Sequence, residues 1–147
     1  MVAQRLDGKA CAASVEAELH DRIATCASAG VEPHLAVVIV GDDPASHVYV
    51  NSKVKACHRL GIKSTHIELP ASVAEDEVRA TILKLNADET LHGILVQSPL
   101  PSHMDEEGLT DLIHPSKDVD GFHPINVGNL SSGYESSVPC TPLGCYL

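Results

Sequence analysis

From Lys9 to Ala29, apolar side chains recur at Val15, Leu19, Ile23 and Cys26, in steps of four, four and three, and Gly30 follows as a stop. That spacing predicts an amphipathic helix. His34 to Val40 is a continuous aliphatic and β-branched run, suited to a strand buried on both faces of a parallel sheet. Gly41-Asp42-Asp43-Pro44 turns the chain, with Asp43 as N-cap and Pro44 at the first position of a second helix that reaches about Leu60 and closes at Gly61. Ile62 to Leu69 alternates weakly, as a second strand. Ser72-Val73-Ala74-Glu75 has the form of a capping box, and Val78, Ile82 and Leu85 continue it as a third helix. Residues 92–96 make a third buried strand ending at Gln97. Ser98-Pro99-Leu100-Pro101 cannot extend that strand, because proline has no N–H for the ladder. A fourth helix is expected over about Asp105 to Ile113, stopping before Pro115. Helices and strands alternate with short connections, the pattern of a three-layer α/β domain with a mainly parallel sheet.

The remainder reads differently. His114 to Val138 is rich in Gly, Ser, Pro, Asn and Asp without periodicity, and is expected to be loop or linker. Pro139-Cys140-Thr141-Pro142 has the form of a helix start, with Thr141 as N-cap and Pro142 at the first position. The sequence ends five residues later, so the expectation is a piece of a longer protein, cut just after a second unit begins.

Length and charge narrow the function classes. The 147 residues, 44% hydrophobic, suffice for about one domain with a real core. Asp and Glu number 20 against 10 Lys and Arg, a formal charge of -10, so no basic stripe is available for nucleic acid or an anionic membrane. One Phe, three Tyr and no Trp leave no set of stacking platforms for single strands. The longest apolar run, Leu35 to Val40, is far short of the ~20 residues of a membrane span. No signal-like segment opens the chain, and the five cysteines form an odd set without C-x-x-C. Reduced thiols and a cytoplasmic location are therefore expected. A zinc site built on Cys140 and Cys145 lacks a matching second pair, and the nine histidines show no ligand spacing.

Ligands of open parallel sheets gather outside the carboxyl ends of the strands, which points to the segments after Val40, Leu69 and Val96. In the second helix Tyr49 and Lys53 lie within ~40° of each other on one face, and Ser46 is one turn earlier on the same side. A lysine withdrawn from water beside an aromatic ring is a candidate general acid or base. A solvated helix face carries the same spacing equally well. Y-x-x-x-K also occurs in short-chain dehydrogenases, but no G-x-G-x-x-G is present to seat their cofactor. Gln97, at the end of the third strand, both donates and accepts hydrogen bonds. Asp118 and Asp120 in Lys117-Asp118-Val119-Asp120-Gly121-Phe122 suit either a self-bonded turn or a cationic or amide-rich ligand; the order of an EF-hand loop is absent.

Together these segments resemble the bifunctional methylenetetrahydrofolate dehydrogenase/methenyltetrahydrofolate cyclohydrolase family. The resemblance rests on the run Pro33 to Lys53, on Gly93-Ile94-Leu95-Val96-Gln97-Ser98-Pro99-Leu100-Pro101, on Lys117 to Phe122 and on Pro139-Cys140-Thr141-Pro142, in the family's order, with Leu6-Asp7-Gly8-Lys9 fitting its start. It covers nearly the whole chain.

The resemblance implies oxidation of 5,10-methylenetetrahydrofolate by hydride transfer to NADP, less often NAD, followed by hydrolysis of the methenyl cation to 10-formyltetrahydrofolate. It implies that Tyr49 stacks on the folate ring, that Lys53 is the acid/base of hydrolysis, that Gln97 orients Lys53 and that Asp120 bonds the pterin. Ser46, Leu100 and Pro101 are implied as further substrate contacts, and Cys140 and Thr141 as cofactor contacts; no metal is implied. Ser98 stands where the family usually has Leu, in a loop that touches the folate. Family members are about twice as long and carry a Rossmann-type NAD(P) domain in their second half, through which a homodimer forms. The expected division is therefore a folate-binding catalytic domain over 1–120, then over 121–147 a linker and the start of a truncated dinucleotide domain. Against this stands a rival of another class, a non-catalytic module that binds folate weakly or assembles with a partner.

Overall fold

The computed structural model describes residues 6–147; the first five residues of the N-terminal segment read above lie outside it. Among the described residues the order is α1 (Gly8–Ser28), β1 (His34–Val40), α2 (Pro44–Leu60), β2 (Lys63–Leu69), α3 (Glu75–Ala87), β3 (Gly93–Val96), α4 (Glu106–Thr110), α5 (Pro124–Ser131) and α6 (Cys140–Tyr146). The three strands form one parallel sheet in the order β2-β1-β3.

The continuous apolar character of β1 follows from its central place, where both faces are covered. Ala36, Val38 and Val40 face Val78, Ile82 and Leu85 of α3 and Leu109 of α4 in one core, whereas Val37 and Ile39 join Val50 of α2 and Leu95 in the other. Helix, sheet and helix thus make the three expected layers. The β1-α2-β2 crossover covers one face and the return through α3 to β3 covers the other, as right-handed connections running in opposite directions require. α1 packs on α2 at the outside, where Arg59 pairs with Glu16, and buries none of its residues fully.

Beyond β3 the chain returns along its free side. Ile94 N–H donates to Lys117 O at 2.7 Å, an isolated parallel bridge that places the Lys117–Phe122 segment beside the sheet. β1 and β3 are therefore neighbours whose onward connections diverge to opposite sides, the topological switch point at which such sheets hold ligands. Close approach of that segment requires Gly93: a Cβ there would lie 2.5 Å from Val119 Cγ1.

Four local expectations are corrected. Ser72 does not cap α3; Ala74 is its N-cap, without a side-chain bond, because the Glu75 carboxylate is occupied by Asp105 N–H at 2.9 Å and by Arg79 at 3.0 Å. α4 is shorter than expected and ends at Thr110, with the chain continuing as turns. The segment 114–138 is not loop throughout, since α5 forms within it: Pro124 supplies the fixed φ of a first helical position and the His123 ring accepts Ile125 N–H at 3.1 Å. α6 starts two residues earlier than read, so Thr141 lies inside it and Pro139 is the N-cap. Pro142 is tolerated at the third position because N–H groups of a first turn have no intrahelical acceptor.

Candidate active site

Lys53 and Gln97 meet at the switch point. Asp43 starts α2 as expected, its carboxylate accepting Ser46 N–H at 2.8 Å, and this bond holds the Asp43 carboxyl below its ordinary value. Lys53, in the third turn from that start, is half-buried, and its Nζ donates to Gln97 Oε1 at 3.1 Å. Gln97 is fixed at both ends of its residue: its backbone N–H donates to Val38 O of β1 at 2.8 Å, and Nε2 donates to the Ser98 carbonyl at 2.7 Å. With the amine of the side-chain amide so committed, the oxygen is what faces Lys53.

Ser46 is buried, and its Oγ donates to the same Ser98 carbonyl at 3.4 Å, tying α2 to the turn that contains the cis Ser98–Pro99 peptide. Tyr49, one turn before Lys53, is 63% exposed, which leaves its ring free to take a flat ligand over the site. Leu100 and Pro101 are half-buried: Leu100 packs against the α3 side of the core, and its N–H donates to Glu106 at 2.9 Å.

The two acids resolve into different groups. Asp118 is buried and accepts from four donors, as a turn carboxylate does. Asp120 is half-buried, and no hydrogen bond among the described residues ends on its carboxylate. Burial pushes the Asp120 carboxyl up from its ordinary value; the Lys53 charge opposes this and the Asp118 charge adds to it. Lys53 and Asp120 are thus near enough to feel each other's charge. A Lys–Gln pair with an unpaired carboxylate near it can exchange a proton with a bound molecule and accept its N–H groups.

Cys140 and Thr141 stand apart, exposed on α6 and without a hydrogen bond to the Lys53 group. All five cysteines are free, and among the described residues no group of three or more His, Cys, Asp or Glu is placed to hold a metal. No described helix is long and apolar enough to cross a membrane. Sequence reasoning did not find Asn126, whose amide bridges Pro115 O and Asp118, nor the Ser98 carbonyl as the acceptor that orients Gln97. The first sat in a stretch without periodicity, and the second is a backbone group that no residue type advertises.

Fold and site together define a parallel α/β domain with a lysine-centred polar group at the carboxyl edge of its sheet. Residues 6–120 match the family model for the tetrahydrofolate dehydrogenase/cyclohydrolase catalytic domain, and the chain belongs to that family. It is 52% identical over 144 residues to the bifunctional protein FolD of Geobacillus thermodenitrificans, covering 98% of this chain and 51% of that protein. Its fold superposes on the crystal structure of the bifunctional enzyme FolD, a methylenetetrahydrofolate dehydrogenase/cyclohydrolase, from Campylobacter jejuni with TM-score 0.91 and 50% identity, over 95% of this chain and 50% of that one. The Trypanosoma brucei dehydrogenase-cyclohydrolase, whose structure is complexed with NADP cofactor and inhibitor, is 35% identical with TM-score 0.88, over 95% of this chain and 48% of that one. The chain spans about half the length of these relatives.

Proposed function

We propose that this chain is the folate-binding catalytic part of a bifunctional enzyme that oxidises 5,10-methylenetetrahydrofolate and hydrolyses the resulting methenyl compound to 10-formyltetrahydrofolate. The observation that carries the reading is the Lys53–Gln97 bond beside the unpaired Asp120 carboxylate. Tyr49 would stack on the folate ring, with Ser46, Leu100 and Pro101 shaping the adjoining wall, and Asp120 would accept N–H groups of the pterin. In hydrolysis, water attacks the cationic methenyl carbon while Lys53 takes one proton from the water, leaving a hydroxyl adduct. That proton passes to the ring nitrogen as its bond to the carbon breaks, and the adduct's hydroxyl proton leaves to solvent as the C=O of the formyl group forms on the other nitrogen.

Residues 1–120 are assigned to this domain, and 121–147 to a linker and the start of a dinucleotide-binding unit. NADP, with NAD as the less common alternative, is the proposed hydride acceptor of the longer protein, and Cys140 and Thr141 its contacts. The domain in hand does not fit a dinucleotide: Gly41 is the single glycine after β1, and the α2 N-terminus that a pyrophosphate would need is occupied by the Asp43 carboxylate. A homodimer formed through that second unit and a cytoplasmic setting complete the proposal.

Lys53→Met tests it. In the protein extended to the length of its relatives, this variant is expected to keep its fold and lose methenyl hydrolysis; normal hydrolysis would sink the assignment. Titration of the 147-residue chain is expected to show folate binding and no NADP binding, whereas tight NADP binding would overturn the division at residue 120.

A further inference from the structure

The two acids of the Asp118-Val119-Asp120 segment divide their work. Asp118, 3% exposed, accepts through Oδ1 from the N–H groups of Asp120 at 3.2 Å and Gly121 at 2.9 Å. Through Oδ2 it accepts from His123 N–H and from Asn126 Nδ2, each at 2.9 Å. Its neighbour Lys117 clamps the same segment to the end of α3, donating from Nζ to the carbonyls of Leu85, Asn86 and Asp88 at 3.2, 2.8 and 2.7 Å. The bridge at Ile94 joins it to β3, and Asn126, whose amide also donates to Pro115 O at 2.8 Å, joins it to α5. Every anchor of the segment therefore runs through Asp118 or its two neighbours, while the Asp120 carboxylate receives none.

We propose that Asp118 is a positioning residue of the candidate site: by gathering the donors around it, it winds the backbone so that Asp120 keeps a free carboxylate near Lys53. The inference rests on the folate reading and deepens it. Asn at position 118 would retain one oxygen for Asp120 and Gly121 but turn an NH2 toward His123 N–H and Asn126 Nδ2, donor against donors. A buried donor left facing donors loses its bond and its solvation together. The charge of Asp118 also favours the protonated form of Asp120, an influence that Asn would remove.

The test is calorimetric titration of the 147-residue chain with 5-deazatetrahydrofolate across pH. For the parent, affinity is expected to fall as pH drops and Asp120 takes up a proton. Asp118→Asn is expected to weaken binding at neutral pH about tenfold. It should also move the midpoint of the acid loss to lower pH, because the Asp118 charge no longer favours protonated Asp120, in a chain whose circular dichroism matches the parent's. Should circular dichroism show that Asp118→Asn does not fold, Asn126→Ala replaces it. That variant removes one donor and the α5 tether without changing charge, and should bind several-fold more weakly with the midpoint in place. Parental affinity and midpoint in Asp118→Asn, or parental affinity in Asn126→Ala where the first variant is unfolded, overturns the inference alone. No binding by the parent chain overturns the folate reading and the inference with it.

Discussion

Lys53 Nζ donates to Gln97 Oε1 at 3.1 Å, and the other end of the same amide donates to the Ser98 carbonyl at 2.7 Å, so the oxygen has no freedom to turn away from the lysine. The pair joins a helix that follows β1 to the residue that follows β3, and so links the carboxyl ends of the two strands. Gln97→Glu keeps the shape and replaces a neutral acceptor by a charged one. A carboxylate beside an amine favours its ammonium form, which has no lone pair to take a proton from water. Hydrolysis by the extended protein is expected to fall by about 10² or more, the usual worth of a positioned general base, with the residual rate recovering toward high pH. The pH–rate profile of the variant against its parent is the measurement; superimposable profiles would remove Gln97 from the mechanism.

Asp120 should show opposite effects on stability and on binding. Its folded-state pKa is raised, chiefly by burial, so between the ordinary value of 3.8 and that raised value the folded chain holds a proton that the unfolded chain has released. Stability from this group is therefore lost as pH rises through that window, and the full penalty applies at neutral pH. Asp120→Asn is expected to raise the Tm at pH 7, leave it unchanged below pH 3.8, and weaken folate binding. Thermal melts of the two proteins at both pH values decide the first part, and an equal Tm difference at both would refute it.

The elements that carry the site were legible wherever one local rule acted alone. The β1 run could be read because a doubly covered strand needs apolar residues at every position, and the start of α2 because Asp43 and Pro44 sit at the two positions their chemistry favours. Where tertiary partners competed, local reading failed. Glu75 fits the last position of a capping box, but a long-range donor, Asp105 N–H, claims its carboxylate, and the box never closes. α5 was missed because its eight residues carry little apolar periodicity: Asn126 is its buried residue, held there by Asp118 and Pro115 rather than by a hydrophobic face. The same cause hid the division of labour between Asp118 and Asp120. Both fit a turn by type, and only the direction of each carboxylate separates them.

Cysteine reactivity should follow burial. Cys57 faces the inside of α2, and burial pushes its thiol up from the ordinary value, whereas Cys140 and Cys145 are exposed on α6. Because the thiolate is the reacting species, a charged aromatic disulfide is expected to modify Cys140 and Cys145 in the native chain, and Cys57 only in denaturant. Peptide mapping of the labelled protein reads this directly. Native labelling of Cys57 at the rate of Cys145 would contradict the packing of α2 against the sheet.

Two glycines nearby in sequence make opposite predictions. Gly121 lies at φ +70 in the turn around Asp118, and a Cβ there would stand 2.6 Å from Ser137 O. Gly121→Ala therefore meets both a left-handed backbone, at about 1–2 kcal/mol, and a backbone oxygen, which cannot swing aside as the end of a flexible side chain would. Gly128 lies inside α5 with nothing within 4 Å of the same position. Gly128→Ala should stabilise by about 0.5–1 kcal/mol, since alanine gives up less backbone entropy on entering a helix and meets no obstacle. Urea denaturation separates the cases by midpoint. The expected order is Gly128→Ala above the parent and Gly121→Ala below it, with folate affinity lost in the second and kept in the first. A Gly121→Ala chain as stable as its parent would mean that the turn is not wound about Asp118, and the source of the free Asp120 carboxylate would have to be sought elsewhere.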